Sequence, residues 1–141
     1  MTPTDALLAA LAGEHAAIYA YGPIGSRLDR KSAAHGRAAE RTHRDRRDAL
    51  LLRLADGQTT PPAPAPAYAL PFPVTNVSTA LRLAVHVEER TAALWRAALP
   101  ETTGADRRMA LDALIDCAIR ATRFRRSAGI TPTTVAFPGR A

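Results

Sequence analysis

Apolar residues return at intervals of three and four through most of the chain, the spacing of one face of an α-helix. The first run reads Leu7, Leu11, Glu14, Ile18 and Tyr21. Thr2 or Thr4 can cap it, with Pro3 at an early position and Asp5 near the positive helix end. Gly22-Pro23 then interrupts, because proline removes a donor and crowds the preceding turn. The helix either stops there or bends and continues to about Leu28. Asp29 can cap a second helix that runs to about Asp56, with Gly57 as its stop. Its face reads Ala33, Gly36, Glu40, His43, Arg47, Leu50/Leu51 and Leu54. A third helix starts near Asn76–Ser78, ends before Pro100, and presents Leu81, Val85, Glu88, Ala92, Trp95 and Leu99. A fourth spans about Ala105–Ser127, closed by Gly129, with a face of Leu111, Leu114/Ile115, Ala118 and Ala121/Thr122.

Residues 58–76 break the pattern with six prolines and cannot be regular helix. At about 3.1 Å per residue this segment reaches roughly 55 Å. A 25-residue helix at about 1.5 Å per residue is shorter, so the segment can cross a whole bundle. Tyr68, Leu70, Phe72 and Val74 alternate with small residues or proline, which predicts a strap packed on the helices. The expected fold is all-α: a four-helix bundle over residues 1–129, built as two hairpins joined by this crossover. Residues 130–141 form a tail whose Val135, Phe137 and Pro138 tuck into a groove.

Composition supports helices. Apolar residues make up 47% but aromatics only 5%, so alanine and leucine carry the interior. The net charge of +6 comes almost wholly from arginine, 18 of 19 basic residues, a bias that genome composition explains as well as function does. Cys117 is alone, which excludes a disulfide framework, a Cys-type zinc site and a CxxC motif. The start lacks a basic region, and Ala6–Ala12 is too short to span a bilayer, so a cytoplasmic protein without a membrane partner is expected. There is no Ser-His-Asp pattern, phosphate loop or Rossmann glycine fingerprint. Arg41, Arg44, Arg46 and Arg47, with Asp45 and Asp48 among them, read as a mostly solvated face, while Arg120, Arg123, Arg125 and Arg126 form a denser basic patch with no acidic partner nearby in sequence. It could hold phosphate, RNA or an acidic partner, but a solvated helix end whose cations suit the dipole is the plainer reading.

Four ionisable residues sit in step with the apolar seams: Glu14, Glu40, His43 and Glu88. A buried carboxylate is costly unless something pairs it. Glu40 and His43 form an ExxH pair at i and i+3, on one face of a helix. Three carboxylates and an imidazole suit iron or manganese, with zinc as a further choice. If the first turn centres near residues 27–29, Glu14 lies level with Glu40 and His43. If it centres near Pro23, Glu14 is offset by several residues, on the order of 10 Å. The alternative is a metal-free polar network with His43 or Arg47 as counterion.

Inward carboxylates on two hairpins joined by a long crossover resemble the ferritin-like superfamily. The segment Glu14–Gly22 and the ending Ala136-Phe137-Pro138-Gly139 are most similar to a small single-domain branch of unknown function within it. That resemblance implies Glu14, Glu88 and the Glu40/His43 pair as iron or manganese ligands, with Glu40 bridging and Tyr21 beside the metal. It implies oxidative chemistry as well. The fourth helix departs from the di-iron pattern, since it offers Asp116 but has Ile119 where the histidine belongs. Without metal, the same fold would serve as a dimerising or partner-docking module, and a homodimer is expected.

Overall fold

The computed structural model describes residues 1–140. Four helices account for most of the chain: α1 (Pro3–Arg27), α2 (Arg30–Asp56), α3 (Val77–Ala98) and α4 (Gly104–Ala128), with no strand among the described residues. The starts of three helices follow from local chemistry. The Thr2 hydroxyl accepts from the Asp5 N–H at 3.1 Å, and the Asp5 carboxylate accepts from the Thr2 N–H at 3.0 Å, a reciprocal cap. Asp29 accepts from the Ser32 N–H, and Asn76 from the Thr79 N–H. Gly129, at φ 70°, closes α4 with the left-handed conformation that a β-carbon resists.

Pro23 does not end α1. Its missing N–H would have served the Tyr19 carbonyl, and Tyr19 is 38% exposed, so water can take over. The helix therefore runs to Arg27, and the turn centres on Leu28-Asp29. That sets Glu14 level with His43.

The hairpins are antiparallel to one another across α1 and α3. Gly13 meets Leu94, Glu14 bonds Trp95, and Tyr21 bonds Glu88, so numbers rise along one helix as they fall along the other. The strap must therefore carry the chain from one end of the bundle to the other. Its Leu70, Phe72 and Val74 pack on the core, and the Tyr68 ring meets the Tyr19 ring at a tilt of 57°, with centroids 5.6 Å apart. The helix pairs in close approach are α3–α4, α1–α3 and α1–α2. Arginine side chains join α2 to α4.

The apolar core has two parts. Tyr21, Ile24, Leu81, Leu83 and Phe124 fill the end near the α1–α2 turn; Leu7, Leu11, Leu50, Leu54 and Trp95 fill the other. A polar layer lies between them. The inward face of α4 is Ala110, Ala113, Cys117, Ala121 and Phe124, about one residue out of step with the expected one. Leu111 and Ile115, expected inside, are 39% and 48% exposed. Small side chains let α4 lie close to α3, and the larger aliphatics are left outside. In the tail, Arg96 donates to the Pro138 carbonyl, and a β-carbon on Gly139 would come within 2.7 Å of the Ala92 carbonyl oxygen. Glycine there lets the tail dock on α3. Pro138 seats as expected, but Val135 and Phe137 point outward, and Ala141 lies outside the described residues.

Candidate functional site

Three of the four seam residues meet in the polar layer. Glu14, His43 and Glu88 are each fully buried. His43 Nδ1 lies 2.5 Å from Glu14 Oε2, and His43 Nε2 lies 2.8 Å from Glu88 Oε1. The Tyr21 hydroxyl donates to Glu88 Oε1 at 2.6 Å, and the Tyr21 ring stacks on the imidazole. Trp95 Nε1–H donates to Glu14 Oε1 at 2.8 Å, which satisfies the indole inside the core. Arg46 donates to the same oxygen at 3.1 Å and to Asp116 at 2.9 Å, while Arg120 joins Asp116 to Thr42.

Glu40 does not take part. Its carboxylate lies at the surface and accepts from Arg44, one turn further along. The inward residues of α2 are Ser32, Gly36, Ala39, His43, Leu50 and Leu54, and Arg46 lines the same seam. The i, i+3 spacing put Glu40 on the flank of His43, while Ala39, one turn before His43, took the seam. A small residue there leaves room for the Tyr21 ring. His43 is a counterion to both carboxylates as expected, and Arg46, rather than Arg47, is the second one at Glu14. Its signal was its own spacing, i+3 after His43 and i−4 before Leu50. Asp116 was legible as a carboxylate on α4, but its contact with Arg46 is tertiary.

An imidazole that faces a carboxylate from each nitrogen needs two N–H groups, so His43 is an imidazolium. Burial alone would lower its pKa. The Glu88 charge and the hydrogen bonds to Glu14 and Glu88 outweigh burial and raise it to about 9. Burial opposes ionisation of Glu14, but His43, Arg46 and Trp95 hold its carboxyl below the usual range. Burial and the neighbouring Glu88 keep Tyr21 a neutral phenol and Cys117 a thiol. The cluster pairs three cations, His43, Arg46 and Arg120, with three carboxylates, Glu14, Glu88 and Asp116. That balance permits its burial. Among the described residues, Glu88 Oε2 is the one buried side-chain oxygen or nitrogen without a hydrogen-bond partner.

A metal held here would need donor atoms about 2.0–2.2 Å from one common point. Glu14 and Glu88 instead bind opposite nitrogens of one ring, so the imidazole itself fills the space between them. The guanidinium of Arg46 occupies the remaining side of Glu14. Among the described residues no group of three or more His, Cys, Asp or Glu side chains is arranged to hold an ion. In this arrangement the donor set does not fit iron, manganese or zinc.

The basic patch of α4 is also divided. Arg120 is bound to Asp116, and Arg125 to Glu89. Only Arg123 and Arg126 face solvent freely. No helix among the described residues is long and apolar enough to cross a membrane.

Comparison with known proteins adds relatives without adding an activity. A conserved hypothetical protein, rv2844, from Mycobacterium tuberculosis is similar over 96% of both chains, with 39% identity and a TM-score of 0.87. No curated protein matches. The model of the family described as "Domain of unknown function (DUF4439)" matches residues 6–141, and the chain belongs to that family.

Proposed function

We propose that this chain is a ferritin-like bundle that works as a non-catalytic module and pairs with a second copy through α4. Support for the ferritin-like kinship comes from the two hairpins, the long crossover, and inward glutamates on α1 and α3 facing a histidine on α2. An imidazolium held by two carboxylates takes the place that a metal reading gives to iron or manganese.

The observation that carries the pairing is the outer stripe of α4. Leu111, Ile115 and Ile119 follow one another at four-residue steps and are 39%, 48% and 48% exposed. They are evenly spaced about Ile115. A two-fold axis beside Ile115 sets Leu111 of each copy against Ile119 of the other, so the stripe complements itself. The stripe is about 12 Å long. A stable interface of about 800 Å² per partner therefore needs more, and the groove beside Ile119 leads on to Val135 of the tail.

Sedimentation should give twice the 15.0 kDa chain mass. Ile115→Glu combined with Ile119→Glu should give a monomer of unchanged helicity, because neither side chain belongs to the core. A wild-type chain that stays monomeric at high concentration removes the pairing. Protein purified without chelator should carry no stoichiometric iron or manganese, and Glu40→Ala should leave stability within about 0.5 kcal/mol. One ion per chain that disappears with His43→Ala would instead establish the metal reading.

A further inference from the structure

Away from the polar layer, α1 and α3 leave a depression of about 420 Å³ beneath the strap. That volume is in the range of small-ligand sites. Its floor is apolar and shallow-sided, formed by Gly13, Ala16, Ala17 and Ala20 against Leu83 and Val87, with Leu70 of the strap along one edge. Tyr68, its ring tilted against Tyr19 and its hydroxyl accepting from the Ala65 N–H, fixes the strap there. One end opens at His86, Arg90 and Leu94, and those same three residues begin a second depression of about 620 Å³ toward the tail.

The second depression is cationic. Arg90 is exposed and has no carboxylate partner among the described residues. Arg140 lies over the Phe137 ring, 5.5 Å from its centre. Arg125 and Glu89 also line this space, but they are bound to each other. An apolar slot thus runs directly into a basin lined by two guanidinium groups, Arg90 and Arg140, that have no carboxylate partner among the described residues. We propose that this pair of depressions binds a single-chain anionic amphiphile, with the alkyl chain in the α1–α3 slot and the anionic head on Arg90. The proposal does not depend on pairing through α4.

The neighbouring His86 would report an anionic head. Partial burial and the Arg90 charge hold the His86 imidazole below its ordinary value, so it is neutral at pH 7. A bound anion beside Arg90 would cancel part of that charge and let His86 take up its proton at higher pH. The shared chemistry of the ligand is a chain plus an anion, and the head distinguishes a free fatty acid from a phosphate-headed lipid.

The test is calorimetric titration of the full chain with dodecanoate, dodecyl phosphate and dodecanol, each below its micelle concentration, with His86 followed by NMR. Saturable binding of at least one anionic probe, weaker binding of dodecanol, and a rise in the His86 pKa are expected. The tighter of the two anions identifies the head. Arg90→Ala should weaken the anionic probes about tenfold, one charge-assisted contact, and leave dodecanol unchanged. Ala16→Phe should fill the slot and abolish all binding. Arg90→Ala keeps the test valid if Ala16→Phe does not fold, since Arg90 is a surface residue. Absence of saturable binding by the folded wild type, or equal binding by Arg90→Ala, overturns the proposal.

Discussion

Replacing His43 with alanine is expected to cost about 3–5 kcal/mol, a large fraction of the stability of a domain this size. The loss comes from what remains rather than from the contact removed. Glu14 keeps Arg46 and Trp95 as partners, but Glu88 is left with Tyr21 alone, and both carboxylates face a cavity where a cation stood. A buried charge without a partner costs the protein its desolvation energy, and the empty ring volume adds a packing loss. His43→Gln should lose somewhat less, because an amide fills the space and can donate to one carboxylate but supplies no charge. Chemical denaturation measures both, as a lower midpoint with an unchanged slope. A loss below about 1 kcal/mol for His43→Ala would mean that the layer is wet and its carboxylates solvated, and the buried charge balance would have to be abandoned.

Alkaline pH should weaken the fold before it weakens most proteins. His43 has a folded pKa of about 9 against an ordinary 6.5. A base that binds its proton more tightly when folded stabilises the native state, and this gain is fully present below pH 6.5. It is lost as pH rises through 9, amounting to about 3 kcal/mol across that window. Glu14 behaves in the opposite sense. Its carboxyl is held below the ordinary 4.5, so its contribution is present above that value and is lost as pH falls through the folded pKa. His15 and His86, both held below 6.5, also act on the acid side. Cys117 and Tyr21 titrate in the unfolded chain only near 9 and 10, so they add to the alkaline loss above the His43 window. Unfolding free energy measured from pH 5 to pH 10 should therefore decline chiefly between about 7 and 9. His43→Gln should flatten that limb. A wild-type profile level to pH 9 would show that His43 is not an imidazolium in the native state.

The α4 stripe illustrates how far periodicity reads a helix. The pattern located α4 and its end at Gly129, but it turned the helix so that its largest aliphatics faced inward. With alanine this abundant, the buried face of a tightly packed helix can be the small one, and Leu111 and Ile115 are left outside. In α3, whose seam carries Leu81, Val85 and Trp95 among its alanines, the same periodicity gives the buried face from Leu81 to Trp95. In α2 the pattern was about one position out at Glu40, because Ala39 carries almost no hydrophobic signal. Arg46 had the seam spacing but no hydrophobic signal, and its role is fixed by Glu14 of α1 and Asp116 of α4, which converge on it.

By itself the sequence determined the four helices, their caps, the crossover and the burial of Glu14, His43 and Glu88. Each of these follows from spacing and side-chain type within a single segment. The tertiary structure alone decided that Glu14 and Glu88 address opposite nitrogens of one ring and that Glu40 stays outside. It also decided that Arg46 of α2 bridges Glu14 and Asp116. Those outcomes depend on how four helices rotate against one another. A turn of one residue, about 100°, moves a side chain from seam to solvent, and it is the packed sum of all the faces that sets that angle.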